Sequence, residues 1–564
     1  MILPTNKKEL LKFAQDLVEI CKSSQGPRAA AYRQYAQWVE TGRAVGGLAL
    51  ANMLYSHVDR LHSHLFSPTD LRFTLDFENH YPQTILSQAA MASKVLTREW
   101  ERRNIDSVFA LGVREALVYG CCPIKQLASG DGDGNVELSA RLVMPWHFGV
   151  YNESVNELLD QECVVETVFL TQAEVWRRVK DLPDAEGLFK RIISNADRNE
   201  GSSGNVTSFF HQVLSTAVLD TSGMSNLQDT PGGLVQLTSN PNFAQTGPQV
   251  AADLYPMHEL WVKDDDLNDW VTIQYAEPGI LIAPQFARKN LLVPGVMPYG
   301  VVRPNEVANY FWGRSELVDL MMLQNNLTVT MDDVKRLIGQ QVDKLLVFSG
   351  DGISDETYGQ FRNAGWMNVG PGGSVNDVTP ALPEAIFTYI NLLQSLMEKI
   401  GGFSNILSGQ GESGVRAGNH ADMLLKTASP RLRDRALMVE RQCASFADVT
   451  LSILEAKDAK AYWTEEDSEE TGEFLLSLLP NDRRVTVDSH SSSPIYEDDN
   501  KELLFAGFKA GYIDGETMIE DLPYQHKDIK IQRYRKIQQA READKQKQEQ
   551  LAQEQVAVKA EKKK

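Results

Sequence analysis

The stretch Gly409-Gln410-Gly411-Glu412-Ser413-Gly414 fits the G-x-G-x-x-G spacing of dinucleotide-binding loops, and Asp434 follows 20 residues after its last glycine. The glycines of that motif let a helix N-terminus approach a pyrophosphate, so it works only between a strand and a helix. Here helical periodicity precedes the loop, no strand–helix–strand repeat encloses it, and Glu412 would face the phosphate. Nucleotide binding is set aside on those grounds. Gly130-Asp131-Gly132-Asp133-Gly134-Asn135 places carboxylate and amide oxygens at alternate positions, as calcium loops do. Such a loop needs glycine at its sharp turn, where this chain has Val136, so a hairpin turn is the better reading.

The remaining reactive side chains do not assemble either. Ten histidines are scattered along the chain. His57 and His62 do not share a helical face; His57 and His64 do, but roughly 10 Å apart along the axis, too far for one metal ion. The carboxylate runs Asp264-Asp265-Asp266 and Glu465-Glu466-Asp467-Ser468-Glu469-Glu470 fit solvated surface. No P-loop, H-E-x-x-H or G-x-S-x-G occurs, and no acid, base and oxyanion site converge as catalysis requires. The expectation is a protein that is not an enzyme, with no catalytic residue, no metal and no cofactor. Arg431, Arg433, Arg435 and Arg441 could suggest a phosphate clamp, but Asp434 and Glu440 sit among them, and Leu382 to Lys457 holds eight residues of each sign. Internal ion pairing along a helix suits that balance better.

The elements that carry these residues are mainly helical. Leu10, Leu11, Ala14, Leu17, Val18 and Cys21 recur at helical spacing. A second helical segment is predicted over 29–66 and a third over 84–119, with Gly120 as its C-terminal cap. Strands are expected at Ile124–Leu127, Val136–Ala140, Trp270–Tyr275 and Tyr299–Val302, and loops over 198–250, which is rich in Ser, Gly, Asn, Thr and Gln. Ser315 can cap a helix that uses Leu317, Leu320, Met321, Leu327, Met331, Val334, Leu337 and Ile338 and runs to about Gln341. About 40 residues of strand and turn follow, with a strand at Leu345–Phe348. A helix from Pro383 uses Ile386, Ile390, Leu393, Met397 and Ile400 and stops at Gly401-Gly402. A Gly/Ser loop leads to a long helix over 419–456, in which Pro430 predicts a kink near Lys426–Pro430. Val485–Val487 is strand-like, two short helices are expected within 497–521, and from Asp528 an exposed helix frays into a tail.

At 564 residues the chain should hold two to four structural units. No apolar run approaches the roughly 18 residues of a membrane span, and the first residues lack an apolar signal core, so neither membrane insertion nor secretion is expected. Five scattered cysteines without C-x-x-C spacing suit buried thiols in a reducing compartment. Gln525 to Lys564 carries twelve Lys/Arg against six Asp/Glu, so a total of −20 leaves −26 on the rest. Such a body should not grip DNA, because affinity for duplex comes largely from cations that displace counterions.

Three stretches nevertheless point to a family. They are Tyr310-Phe311-Trp312-Gly313-Arg314-Ser315 ahead of a helix, the loop-to-helix run Gly414 to Leu425, and Val487-Asp488-Ser489-His490-Ser491-Ser492-Ser493-Pro494 followed by Gly511-Tyr512-Ile513-Asp514. In the order helix, β-turn module, helix, Gly-rich loop, kinked long helix, the chain resembles the portal proteins of tailed bacteriophages, over roughly residues 80–525. The resemblance implies an α+β, mainly helical fold. Its wing would be residues 1–312, helical first and then β-rich. Stem helix 1 would be 313–341, the clip 342–382, stem helix 2 383–402, the tunnel loop 403–418 and the spine helix 419–456, kinked at Pro430. The chain would return to the wing at 457–495 and end in a crown and basic tail at 496–564.

The same resemblance implies a homo-dodecameric ring at one capsid vertex, through which viral double-stranded DNA is packaged and ejected. Gln410, Gly411, Glu412, Ser413 and Arg416 of the tunnel loop would meet that DNA. Asp351, Asp355, Glu356, Arg362 and Trp366 of the clip would meet the terminase large subunit or the tail adaptor protein. Major capsid and scaffolding proteins are the other implied partners, with assembly in the host cytoplasm and residence in the virion. A near-neutral or acidic wall suits a duplex that must slide, since each added phosphate contact would cost mobility. The alternative is a structural protein of a phage head or tail without a channel.

Overall fold

The computed structural model describes residues 1–196 apart from 24, 45–47, 69–70 and 131–135; 254–281 apart from 266–268 and 277–278; 297–402 apart from 343–345 and 350–372; 430–487 apart from 457–459, 465–470 and 481; and 504–515, 518–519, 530–531 and 533–538. In chain order the elements are α1 (Lys7–Lys22), α2 (Gln25–Thr41), α3 (Met53–Leu65), β1 (Phe73–Phe77), α4 (Gln83–Arg102), α5 (Ile105–Tyr119), β2 (Cys122–Gly130), β3 (Val136–Leu142), β4 (Phe148–Val150) and β5 (Cys163–Thr171). Then come α6 (Gln172–Val179), α7 (Ala185–Ala196), β6 (Leu254–Asp264), β7 (Asp269–Ala276), β8 (Ile280–Leu281), β9 (Tyr299–Val302), α8 (Met321–Val342), β10 (Leu346–Ser349), β11 (Ser374–Asp377), α9 (Glu384–Gly401), α10 (Pro430–Ala456), β12 (Lys460–Thr464), β13 (Thr471–Leu475) and β14 (Arg483–Val487). The fold is mixed α and β. It divides into two compact units, Met1–His62 with Leu111–Met438, and Ser63–Ala110 with Val439–Lys564.

Two antiparallel sheets organise the first unit, one ordered β3-β2-β9 and one ordered β4-β5-β6-β7-β8. Along β5 and β6 the side chains alternate between two apolar clusters, because successive strand residues point to opposite faces. Cys163, Val165, Leu260 and Val262 join Leu10, Ala14, Leu17, Val18 and Cys21 of α1. Val164 and Trp261 join Phe148, Tyr299, Phe311 and Trp312 instead. Helices α6 and α7 pack on the far ends of β5 and β6 through Val175, Val179 and Ile192. Thr171 opens α6 with a capping box, its hydroxyl accepting from the Glu174 amide while the Glu174 carboxylate accepts from the Thr171 amide.

Between the two sheets lies a buried ionic network. Lys125 of β2 is fully buried and reaches Glu166 of β5 (3.0 Å) and Glu259 of β6. Arg141 completes Glu166, which also accepts from the Tyr299 hydroxyl at 2.7 Å. Glu259 accepts from Trp261 Nε1 at 2.9 Å and Gln274 Nε2 at 3.2 Å and faces Arg178 at 3.4 Å. Burial works to raise the Glu259 carboxyl, but Lys125 and Arg178 outweigh it and bring its pKa down to about 2.

In the second unit, β1 pairs antiparallel with β14, from Phe73 opposite Val487 to Phe77 opposite Arg483. Trp100 of α4 is its centre, edge-on to Phe73 and Phe446 and hydrogen-bonded to Thr450 Oγ1 at 3.0 Å. Asp482 accepts from the Tyr81 hydroxyl at 2.7 Å and from Asn79 Nδ2 at 2.6 Å.

Three helix boundaries differ from expectation. The segment 29–66 is two helices, because Gly42 turns left-handed (φ +68°) after α2. The segment 84–119 is also two, broken where Asn104 adopts φ +52°. The helix expected from 313 begins as a 3-10 turn, Glu316–Asp319, and becomes α-helical at Met321. The hairpin β2–β3 forms as expected, from Ile124 opposite Leu142 to Gly130 opposite Val136, while its turn, the loops of 198–250 and most of the basic tail lie outside the described residues; 530–531 and 533–538 of that tail are helical.

Replacing Glu259 by Gln leaves Lys125 with one carboxylate where it had two. The expected cost is about 3–5 kcal/mol at pH 7, typical of breaking a buried pair. A carboxylate held below its unfolded pKa stabilises the fold above that value and loses the contribution as pH falls toward its folded pKa. Urea unfolding should therefore show the gap between wild type and Glu259→Gln closing as pH drops from about 5 toward 2.

Candidate functional site

The residues from Tyr310 to Ser315 fix how the chain enters α8. Phe311 and Trp312 are fully buried, and Arg28 stacks over the Trp312 ring with its guanidinium carbon 4.2 Å from the centroid. Trp312 Nε1 donates to Glu153 at 2.8 Å. Gly313 then turns left-handed (φ +64°) against Gly120 (φ +92°). A Cβ at Gly313 would lie 2.6 Å from the Gly120 carbonyl oxygen, so both the turn and the close approach exclude a side chain. Ser315 follows in extended conformation. Its hydroxyl donates to the Val118 carbonyl and accepts from the Leu317 amide at 3.2 Å, capping the 3-10 turn.

At the start of that turn Glu316 is buried and holds three elements at once. Its Oε2 lies 2.8 Å from Arg435 of α10 and accepts from Asn305 Nδ2 at 3.0 Å. Its Oε1 faces His57 Nε2 of α3 at 3.6 Å. The His57 ring in turn fills the space beside Gly401, where a Cβ would sit 2.2 Å from its Cε1. The beginning of α8, the end of α9, α3 and α10 therefore converge on one carboxylate. Burial pushes Glu316 toward the neutral form, but the adjoining His57 ring and the Arg435 charge prevail and hold its pKa below the usual carboxylate range. A cavity of about 470 Å³ opens beside this node, lined among others by Arg314, Glu316, Asp319, Asp434 and Arg435.

The first half of α8 is anchored by buried polar side chains. Gln324 Nε2 donates to the Ala51 carbonyl (2.7 Å) and Thr328 Oγ1 (3.0 Å), while its Oε1 accepts from the Met53 amide (3.0 Å). Thr328 passes the chain on to the Gly42 carbonyl at 3.0 Å, and Arg43 pairs with Asp332 at 2.7 Å. Sequence reading missed Gln324 and Thr328. The available signal was a polar pair four residues apart on the same stripe as Leu320 and Leu327.

Beyond these anchors α8 runs beside α9, and β10 pairs with β11 in the order Leu346–Asp377 to Ser349–Ser374. Ile390, Leu393 and Met397 are buried on α9, as expected from their spacing; Pro383 is its N-cap rather than its first-turn residue, and Gly402 ends it at φ +82°. Along this helix pair several apolar side chains are open to solvent, among exposed polar ones such as Asp333, Lys335, Arg336 and Asn391. Met322 is 75 % exposed, and Val329, Ile338, Phe387, Tyr389 and Leu392 are each roughly half exposed, as are Val347, Val375 and Val378 on and beside the strands. Covering a half-exposed Leu or Phe is worth on the order of 1 kcal/mol.

The expected contact residues Asp351, Asp355, Glu356, Arg362 and Trp366, and the loop residues Gln410, Gly411, Glu412, Ser413 and Arg416, lie outside the described residues. So does the segment preceding Pro430, and with it the expected kink. Of the arginines considered together, Arg435 turns inward to Glu316. His57 is buried in the same node, whereas His62 and His64 are partly exposed. Among the described residues no group of three or more His, Cys, Asp or Glu side chains could hold a metal ion, and no helix is long and apolar enough to cross a membrane. No protein-family model matches the sequence, and comparison with curated proteins gives no match.

The Glu316–Arg435 pair carries a double-mutant test. Glu316→Gln and Arg435→Met should each destabilise by about 3 kcal/mol or more, since each strands a buried partner. Their combination should cost less than the sum, with a coupling of about 1–3 kcal/mol measured by chemical denaturation.

Proposed function

We propose that this chain is the portal subunit of a tailed bacteriophage, a non-enzymatic ring component that forms the channel for packaging and ejecting DNA at one capsid vertex. The observation that carries the reading is the module α8–β10–β11–α9, two adjacent helices joined through a small β pair, anchored in the protein body at Glu316 and followed by the long helix α10. This is the order of stem, clip, stem and spine. The exposed apolar side chains along both helices and strands suit neighbouring copies packed side by side, in a heterologous interface that closes into a ring. Pairing of β1 with β14, more than 400 residues later, suits a chain that returns to its wing after the spine. An acidic body, −20 overall despite the basic tail, suits a lumen through which duplex slides without being held.

In this reading the subunits form a homo-dodecamer in the virion, the clip docks the terminase large subunit during packaging and the tail adaptor afterwards, and capsid and scaffolding proteins surround the wing. The tunnel loop touches DNA only transiently.

Electron microscopy of the purified full-length protein tests the assembly. Rings with a central hole are expected; a filament, a sheet or a monomer at all concentrations would favour a head or tail protein without a channel. A second test addresses the loop: deleting 408–414 should leave rings intact and impair packaging or DNA retention, and unchanged packaging would reject its role.

A further inference from the structure

The end of α1 meets the five-stranded sheet through an ammonium and an imidazole. Lys22, the last residue of the helix, places its Nζ 3.3 Å from His258 Nδ1 of β6. His258 lies opposite Thr167 in the β5–β6 register, and the Thr167 hydroxyl reaches the same Nδ1 at 3.1 Å. Alternate residues of a strand share a face, so His258 and Thr167 stand on the face that carries Cys163, Val165, Leu260 and Val262 under α1. The imidazole is buried, and the Tyr275 ring of β7 lies 4.9 Å from it. An ammonium has hydrogens and no lone pair, so Nδ1 accepts from Lys22, and the Thr167 hydroxyl can only donate to that atom. His258 is therefore neutral here, with its hydrogen on Nε2. A proton on Nδ1 would remove the acceptor and set two cations 3.3 Å apart around a buried ring. Around the pair, β5 presents the Thr167 hydroxyl, β7 presents Tyr275, and the 3-10 turn Pro145–His147 presents a second imidazole. Burial first and the Lys22 charge second bring His147 down to about 4; Arg141 adds to the lowering and Glu166 opposes it.

We propose that the Lys22–His258 contact is an acid-sensitive latch, which pins the last turns of α1 to the sheet while the imidazole is neutral and releases them when it takes a proton. Such a latch would act whether or not the chain forms a ring. A histidine that must stay neutral in the closed form stabilises that form above its ordinary pKa of about 6.5, and the contribution is lost as pH falls below that value. Each proton taken up on opening shifts the equilibrium by up to about tenfold per pH unit. Release stays local, because Leu10, Ala14 and Leu17 keep the earlier turns of the helix in the apolar cluster. Helix ends are also where local opening is least costly.

Hydrogen exchange read by mass spectrometry on the full-length protein tests the latch. Peptides of α1 are followed from about pH 7 to about pH 5, with rates corrected for the pH dependence of intrinsic exchange. Protection in the last turns of α1 should fall by about tenfold or more across that range, while peptides of α4, in the other compact unit, keep theirs. His258→Gln, whose amide oxygen accepts from Lys22 at any pH, should reduce the fall to about threefold or less. Lys22→Met keeps the stem and removes the charge; it should do the same, and it carries the test if the His258 variant folds poorly. Wild-type α1 protection that does not change with pH would overturn the proposal. So would an equal fall in α4, which marks general acid unfolding, or a fall that both variants retain.

Discussion

A buried carboxylate has few acceptable fates, and at Glu316 that constraint organises the molecule around the helix pair. Taken out of water, its charge costs several kcal/mol unless a cation and donors meet it. Here Arg435, His57 and Asn305 do so from three different parts of the chain. Such a pair adds little net stability compared with an apolar replacement. Its value lies in direction, since the guanidinium meets the carboxylate, with His57 beside it, only when α10 and α3 hold one position relative to the start of α8. The glycine contact just before it works the same way. With Gly313 against Gly120 and the Trp312 ring under Arg28, the backbone has one route into Ser315. Steric exclusion sets the path, and the ionic node sets the angle at which the helix leaves.

The second network, around Lys125, obeys the same rule on the β side. No strand of one sheet pairs with a strand of the other among the described residues, so side chains must join them. One ammonium between two carboxylates, bordered by Arg141 and Arg178, satisfies every charge and demands that β2, β5 and β6 keep a common register. A one-residue slip of β5 would turn Glu166 away and present Val165 or Thr167 to the lysine.

How much of this was legible in the sequence depended on whether the deciding interactions were local. The stripe of α1, the cap at Ser315, the stop at Gly402 and the β2–β3 hairpin are set by side chains within a turn or two of the backbone they direct, and each was foreseen to within a few residues. The breaks at Gly42 and Asn104 were not, because helical periodicity continues on both sides of a single left-handed residue. The pairing of β12 with β13 also escaped, as did the order of the five-stranded sheet, since strand pairing across tens or hundreds of residues leaves little trace in composition. The buried charges were the least visible. Lys125 and Glu316 look like ordinary surface residues in a list of letters, and only the fold places Glu166, Glu259 and Arg435 within reach of them. The tunnel-loop and clip residues named from the resemblance remain a matter of that resemblance, because they fall outside the described residues.

The helix pair itself shows two regimes along its length. Near the body, α8 is tied down by Gln324 and Thr328, polar groups that lose their stabilisation if the helix shifts by even one turn. Farther along, the same helix and its neighbour α9 turn Val329, Ile338, Phe387 and Leu392 toward water. A monomer under selection for solubility alone would place charges there, as α8 does at Lys335 and Arg336. Each apolar side chain left in solvent is a small cost, on the order of 1 kcal/mol, and nine of them lie along the two helices and their β pair. A rigid base with an apolar, half-covered shaft is what a subunit needs if its neighbours complete it. The polar anchors hold the base of α8 in one position, and in the proposed ring each copy would have to present its helices in the same position for the heterologous interface to close.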